Sequence, residues 1–359
     1  VLEFKHKQLD DTFHNTTEFT ISDCPGTIVF NKDAFKEFYK LENLRISNAY
    51  KVVMEPDVFQ SLDILTIKNV QEVEFKSRAF QDAYLKRVGI YQSNMKKLPQ
   101  FSFYNVESLE KFHLLLVKIG EVESNAIYLK NTSTVHMTNT TVDKIGSQGI
   151  KIEAEHVTLD YSDFKGLEDD AITLTVSKQL DILRNKVEFN SANIPIVSEA
   201  QDVNISNNHF NFLSKDIVSQ INSNKRFIFL NNIIDKFESD EPLEEVPENW
   251  DARENKFQCT CEFLQIFKNV THSSLVKNNF CKRSCKMSLK HAAEKCSRNS
   301  TASFDDKNVC KVKLRTTSQG SKDFLTSFNS AVKPSTATVT NLGLLLWTIM
   351  TPWFLRSTP

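Results

Sequence analysis

Apolar and polar residues alternate in short phrases that recur along the chain about every 23 residues, each ending in asparagine. The phrase reads Leu44-Arg45-Ile46-Ser47-Asn48, Leu65-Thr66-Ile67-Lys68-Asn69, Val135-His136-Met137-Thr138-Asn139, Val203-Asn204-Ile205-Ser206-Asn207 and Phe227-Ile228-Phe229-Leu230-Asn231. Weaker copies lie between, at Val88-Gly89-Ile90, Val157-Thr158-Leu159 and Leu180-Asp181-Ile182. Period-two alternation predicts strands, and the fixed step places each strand beside its copy in the previous coil. A second strand phrase joins it in the middle coils, at Ala126-Ile127-Tyr128-Leu129, Gly149-Ile150-Lys151-Ile152 and Ala171-Ile172-Thr173-Leu174, and continues at Ile194-Pro195-Ile196 and Ile217-Val218. Two short strands per coil, joined by polar turns, predict an all-β parallel β-helix solenoid.

The pattern divides the chain. Residues 1–33 read as an N-terminal cap with a turn at Cys24-Pro25-Gly26, and 34–237 as the β-solenoid. Residues 238–312 read as an acidic, proline-broken loop followed by a cysteine-rich C-terminal cap, 313–330 as a flexible stalk, and 331–359 as a removable GPI-attachment signal. Phenylalanine is abundant at 27 residues, and Phe164, Phe189, Phe210 and Phe280 each close a strand phrase, where rings can stack along a solenoid axis.

The alternative solenoid is the leucine-rich repeat, which Phe59-Gln60-Ser61-Leu62-Asp63-Ile64-Leu65 resembles. That repeat places Asn three residues after its last strand Leu. Here Asn follows the apolar anchor by two, as in Ile46 to Asn48 and Ile205 to Asn207. Two residues along a strand share a face, so these amides are expected to point inward and bond from coil to coil. Such a ladder resembles that of the right-handed parallel β-helix proteins, the pectate-lyase-like superfamily, over residues 40–235. Asn255-Lys256-Phe257-Gln258-Cys259-Thr260-Cys261 also resembles the C-terminal flanking cap of extracellular leucine-rich-repeat proteins, without its usual Trp-Leu.

Charge is balanced, 44 basic against 45 acidic residues, so net charge suggests neither a nucleic-acid partner nor an anionic membrane surface. β-Helix glycoside hydrolases carry an Asp-Asp step before a strand, and the resemblance makes Asp169 and Asp170 the catalytic candidates. The Gly-His element that accompanies it in those enzymes has no match here. A solvated polar turn, repeated in every coil, is the favoured reading. Asp160 and Asp163 add to an acidic patch with no tight Ca²⁺-ligand spacing. His113, His136, His156 and His209 sit in strand phrases, mostly outward, without a metal-binding pattern. No cofactor or metal is therefore implied.

Six of the 7 cysteines cluster late in the chain, at Cys259, Cys261, Cys281, Cys285, Cys296 and Cys310. With sequons at Asn15, Asn131, Asn139, Asn204, Asn269 and Asn299, disulfides are favoured over zinc at Cys259-x-Cys261 and Cys281-x3-Cys285. Neighbours in Cys-x-Cys rarely pair, so each is expected to reach a later cysteine. Cys24 has no local partner. Asn139 falls at the inward position and Asn204 at an outward one, so glycosylation is expected at Asn15, Asn131, Asn204, Asn269 and Asn299. The apolar run from Leu342 follows small residues and a polar spacer, which makes Asn329 or Ser330 the expected lipid-attachment point.

These features together predict a non-catalytic glycoprotein, anchored by lipid to the outer face of the plasma membrane or secreted. It would present a rigid face for adhesion or for recognition of a protein or glycan partner. The alternatives are a polysaccharide lyase or hydrolase acting on acidic glycans, and a leucine-rich-repeat receptor ectodomain.

Overall fold

The computed structural model describes residues 1–5, 15–36, 38, 40–59, 61–190, 199–214, 226–239, 242, 249–271, 273–282 and 287–298. The chain divides into Val1–Cys310, which holds every element described below, and Lys311–Pro359, which lies outside the described residues.

The alternating phrases form a parallel β-solenoid of about ten turns. Among the described residues one sheet has 14 strands and a second has 9, with every ladder parallel. In the larger sheet the first anchor of each phrase forms one column: Leu44, Leu65, Val88, Phe112, Val135, Val157, Leu180, Val203 and Phe227. The second anchors, from Ile46 through Met137 to Phe229, stack two residues on. In the smaller sheet Met95, Ile119, Val142, Phe164, Val187, Phe210, Ile234, Phe257 and Cys281 make the matching inward column. The core is the space between these columns, filled by branched aliphatics and phenylalanine. In the central turns both expected strand phrases belong to one long strand, such as Ile127–Thr138, which is bent by a register shift beside Asn131.

The phrase-ending asparagines do not point inward. Asn48, Asn69, Asn139, Asn207 and Asn231 are all exposed, with φ between 48° and 62°. Same-face alternation requires extended backbone; a left-handed residue turns the chain, keeps its own side chain outside and sends the next one in. Asparagine suits that conformation better than most residues. On the outside these amides still bond between turns: Asn69 donates to Asn48 at 2.8 Å, Asn48 to Asp23 at 2.8 Å and Asn231 to Asn207 at 2.6 Å.

The internal ladder lies one residue later. Asn185, Asn208, Asn232, Asn255 and Asn279 are buried, and each Oδ1 from Asn208 onward accepts the backbone N–H and Nδ2 of the asparagine one turn earlier, at 2.8–3.1 Å. Asn185 Oδ1 extends the series by accepting from Ser162 N at 2.8 Å. Inward Asn therefore falls three residues after its anchor, so the spacing used to set aside the leucine-rich repeat does not discriminate. The second parallel sheet does, and it rules that alternative out.

Pairing also passes both expected solenoid boundaries. Glu18–Ser22 and Thr27–Phe30 pair with Asn43–Met54. At the other end Trp250–Arg253, Lys256–Phe257 and Phe280–Cys281 continue the two sheets. Phenylalanines cover the first turns, where Phe4, Phe19, Phe30, Phe35 and Phe38 pack with centroids 5.1–6.5 Å apart. The last turns are covered by the helices Cys261–Gln265 and Leu289–Arg298, the first capped by Thr260 Oγ1, which accepts from Phe263 N. Disulfides Cys259–Cys281 and Cys261–Cys296 staple this region to the final coil. Cys285 and Cys310 lie outside the described residues. Cys24 is half-buried and carries a free thiol.

Candidate functional site

The acidic turn that carries the catalytic candidates forms where Asp163–Leu167 leaves the smaller sheet. Asp170 takes the left-handed conformation that closes the turn, at φ 54°. Glu168 is held by Ser147 N at 3.2 Å and by Lys144 at 3.1 Å, which keeps its carboxyl below the usual range. Asp169 is exposed. Asp160 accepts both arms of Arg184 at 2.9 and 2.6 Å, and Asp163 pairs with Lys165 at 3.2 Å. The four aspartates therefore do not converge on one point. Among the described residues no group of three or more His, Cys, Asp or Glu side chains could hold a metal ion.

Asp170 instead edges a groove that spans four turns. Along one side run the turn residues Asn125, Gln148 and Asp170, whose backbones bond in series from Asn125 N to Gln148 O at 3.0 Å and from Gln148 N to Asp170 O at 3.1 Å. Along the other side run Tyr104, Tyr128, Lys151 and Thr173, which share one register column, with Ile127 between the two sides. Tyr104 and Tyr128 have centroids 5.4 Å apart, and Phe101 sets its edge against Tyr104 at 4.9 Å. Lys151 Nζ lies 4.7 Å from the Tyr128 ring centroid. Burial, and a hydrogen bond donated to Glu153 at 3.1 Å, push the Tyr128 hydroxyl's pKa up. The groove thus offers aromatic faces on one flank and planar amide or carboxylate groups on the other, at a step of about 4.8 Å per turn.

The outer face of the larger sheet gathers a second set, which motif reading does not detect. His113 and His136 occupy the same outward position in successive turns and stack with centroids 4.9 Å apart and planes 16° apart. His156 follows one turn later in the adjoining outward column, opposite Thr134. These residues are scattered in sequence and meet only through the coil register. The available signal was that His113 and His136 both fall between the two anchors of their phrases. His209 belongs to the other sheet, where Nε2 contacts Asp235 Oδ2 at 2.9 Å and Lys282 pairs with the same carboxylate.

Of the sequon residues, Asn15, Asn131, Asn139 and Asn269 are exposed and Asn204 is half-buried, accepting from Ser206 Oγ. The ground for excluding Asn139 from glycosylation is therefore removed by its left-handed, outward position. Asn299, Asn329 and Ser330 lie outside the described residues.

No curated protein and no solved structure matches the chain. Residues 117–283 match the family model of the right handed beta helix region. With the parallel register above, the fold is a right-handed parallel β-helix with turns of about 23 residues.

Proposed function

We propose that the protein is a non-catalytic recognition module that binds a glycan along the groove between Tyr104–Tyr128 and Asn125–Gln148–Asp170. The groove itself carries this reading. Tyrosine rings suit the apolar faces of sugar rings, while amide and carboxylate side chains both orient hydroxyls. Repetition at each turn suits a polymer lying along the solenoid axis. In this role Asp170 is a hydrogen-bond acceptor on the amide flank of the groove. Two disulfides fit an oxidising compartment, and a lipid-anchored position on the outer face of the plasma membrane, with attachment at Asn329 or Ser330, fits the same picture. Adhesion through surface glycans is the biological work this implies.

Binding to a panel of neutral and acidic glycans tests the groove. Tyr104→Ala and Tyr128→Ala are expected to weaken binding roughly three- to tenfold each. Absence of glycan binding by the intact protein removes the reading. Turnover of an acidic polysaccharide that disappears in Asp169→Asn or Asp170→Asn would establish the lyase or hydrolase alternative instead. Release from intact cells by phospholipase C tests the anchor.

A further inference from the structure

The imidazoles on the outer face of the larger sheet belong to a patch of unusual composition. Two outward columns cross three turns there. One holds Lys111, Thr134 and His156, and the other His113, His136 and Thr158. Neighbours within a column stand about 4.8 Å apart along the axis. All six side chains can donate a hydrogen bond and none is a carboxylate. Among the described residues none of the six makes a side-chain hydrogen bond or an ion pair.

The surrounding charges are already committed or set apart. In the preceding turn Arg87 pairs with Glu110 at 3.5 Å, and the Tyr91 ring lies where a side chain at position 89 would stand, closing the patch beside Gly89. In the following turns Asp160 is held by Arg184 and Glu155 by Lys178 at 2.8 Å. Asp181 lies beyond Thr158 in the second column and accepts from Gln179 at 2.8 Å. Asp202 lies a further turn away, beside Gln179.

We propose that this patch is a binding site for an oxyanion, a carboxylate or sulfate group, and that His136 takes up a proton as it binds. Lys111 supplies a fixed positive charge at one end, Thr134 and Thr158 supply hydroxyl donors, His156 supplies an imidazole N–H, and His136 becomes a charged donor once protonated. Burial, together with neighbouring His156 and Lys111, holds His136 below the usual imidazole range, with Asp181 opposing, so it is largely neutral near pH 7. Burial, with His136 and Lys111, lowers His113 in the same way. The Nε2 of His113 is buried without a partner, which disfavours a charged ring there, and His113 backs the stack. An anion seated on the patch offsets the repulsion among these bases, and proton uptake and anion binding reinforce each other. This site is separate from the tyrosine groove, and its test does not depend on glycan binding there.

Calorimetric titration of the intact protein with inorganic sulfate, at about pH 5.5 and about pH 7.5, tests the proposal. Affinity is expected to be at least about tenfold higher at the lower pH, because an imidazole held below the ordinary value of about 6.5 gains at least about tenfold in protonated fraction over this interval. His136→Gln should remove most of this pH dependence, and Lys111→Gln, at an exposed position, should weaken binding at both pH values. Lys118→Gln, on the outer face of the other sheet, should change nothing. A sulfated oligosaccharide that competes with inorganic sulfate and binds more tightly identifies a glycan as the source of the anion; competition only as weak as that of free sulfate identifies a free anion. No sulfate binding at about pH 5.5 by folded protein, equal affinity at both pH values, or an equal loss in Lys118→Gln each overturns the proposal.

Discussion

Adjacent alanine substitutions at Asn231 and Asn232 test the architecture at its most specific point. Asn232 is fully buried, and its Nδ2 donates to Ile205 O at 2.8 Å and Asn255 Oδ1 at 2.9 Å. Its Oδ1 accepts from Asn208 N at 2.9 Å and Asn208 Nδ2 at 3.0 Å. Asn232→Ala leaves the buried Asn208 N–H without that acceptor, a cost of about 1–3 kcal/mol, and removes one bond each from three other buried groups at about 0.5–1 kcal/mol apiece. The expected loss is about 3–5 kcal/mol. Asn231, one residue earlier, is exposed, with φ 53° and a single amide bond to Asn207. Asn231→Ala places an ordinary residue in the left-handed region, at about 1 kcal/mol, and gives up a surface hydrogen bond worth less. Urea unfolding of both variants, followed by circular dichroism, measures the difference as a shift in midpoint at constant slope. Asn232→Ala is expected to be the weaker protein by at least about 2 kcal/mol. Equal losses, or a larger loss in Asn231→Ala, would refute the inward register assigned here and return the ladder to the phrase-ending residue.

The same left-handed corner is occupied by Leu116, at φ 57° and 49% exposed. Leu116→Asn should stabilise the fold by about 0.5–1 kcal/mol, seen as a higher urea midpoint, by relieving backbone strain and removing an exposed apolar side chain. The lowered pKa values of His113 and His136 mean that the unfolded chain binds more protons than the folded one just below the ordinary imidazole value. Their contribution is fully present above about pH 6.5 and is lost as pH falls through that value toward the depressed folded values. Stability in a non-coordinating buffer should therefore decline between about pH 7.5 and 5.5, and the decline should be shallower in His136→Gln. The Cys259–Cys281 bridge closes a separation of 22 residues, so the Cys259→Ser/Cys281→Ser double variant should lose roughly 3 kcal/mol, measurable as a fall in Tm under non-reducing conditions.

How far the molecule could be read in advance depends on which part of the coil is considered. Apolar anchors such as Leu44, Ile46, Val203 and Ile205 are constrained by burial on one face, so their period exposes the solenoid directly. The corner is different, because a positive φ leaves no trace in an apolar–polar pattern. A trace exists once the phrases are aligned on their anchors. Two residues after the second anchor stand Asn48, Gln92, Leu116, Tyr161, Arg184 and Glu254, a mixture that only an exposed position accommodates. Three residues after it stand Ala49, Val70, Ser93, Val117, Thr140, Ser162, Asn185, Asn208 and Asn232, all small, apolar or amide and all buried. The inward column therefore mixes aliphatic and hydroxyl residues from Ala49 to Ser162 and is asparagine from Asn185 to Asn232, and counting asparagines alone selects the wrong neighbour in doublets such as Asn207-Asn208 and Asn231-Asn232. The candidate sites were harder still. Tyr104 and Tyr128, or His113, His136 and His156, are ordinary residues in their own segments, and chemistry arises only when successive turns set them side by side. In a solenoid the unit to search for function is thus the outward column rather than the local motif, and the Lys111-to-Thr158 patch is a place where two adjoining columns cross three turns without meeting a carboxylate.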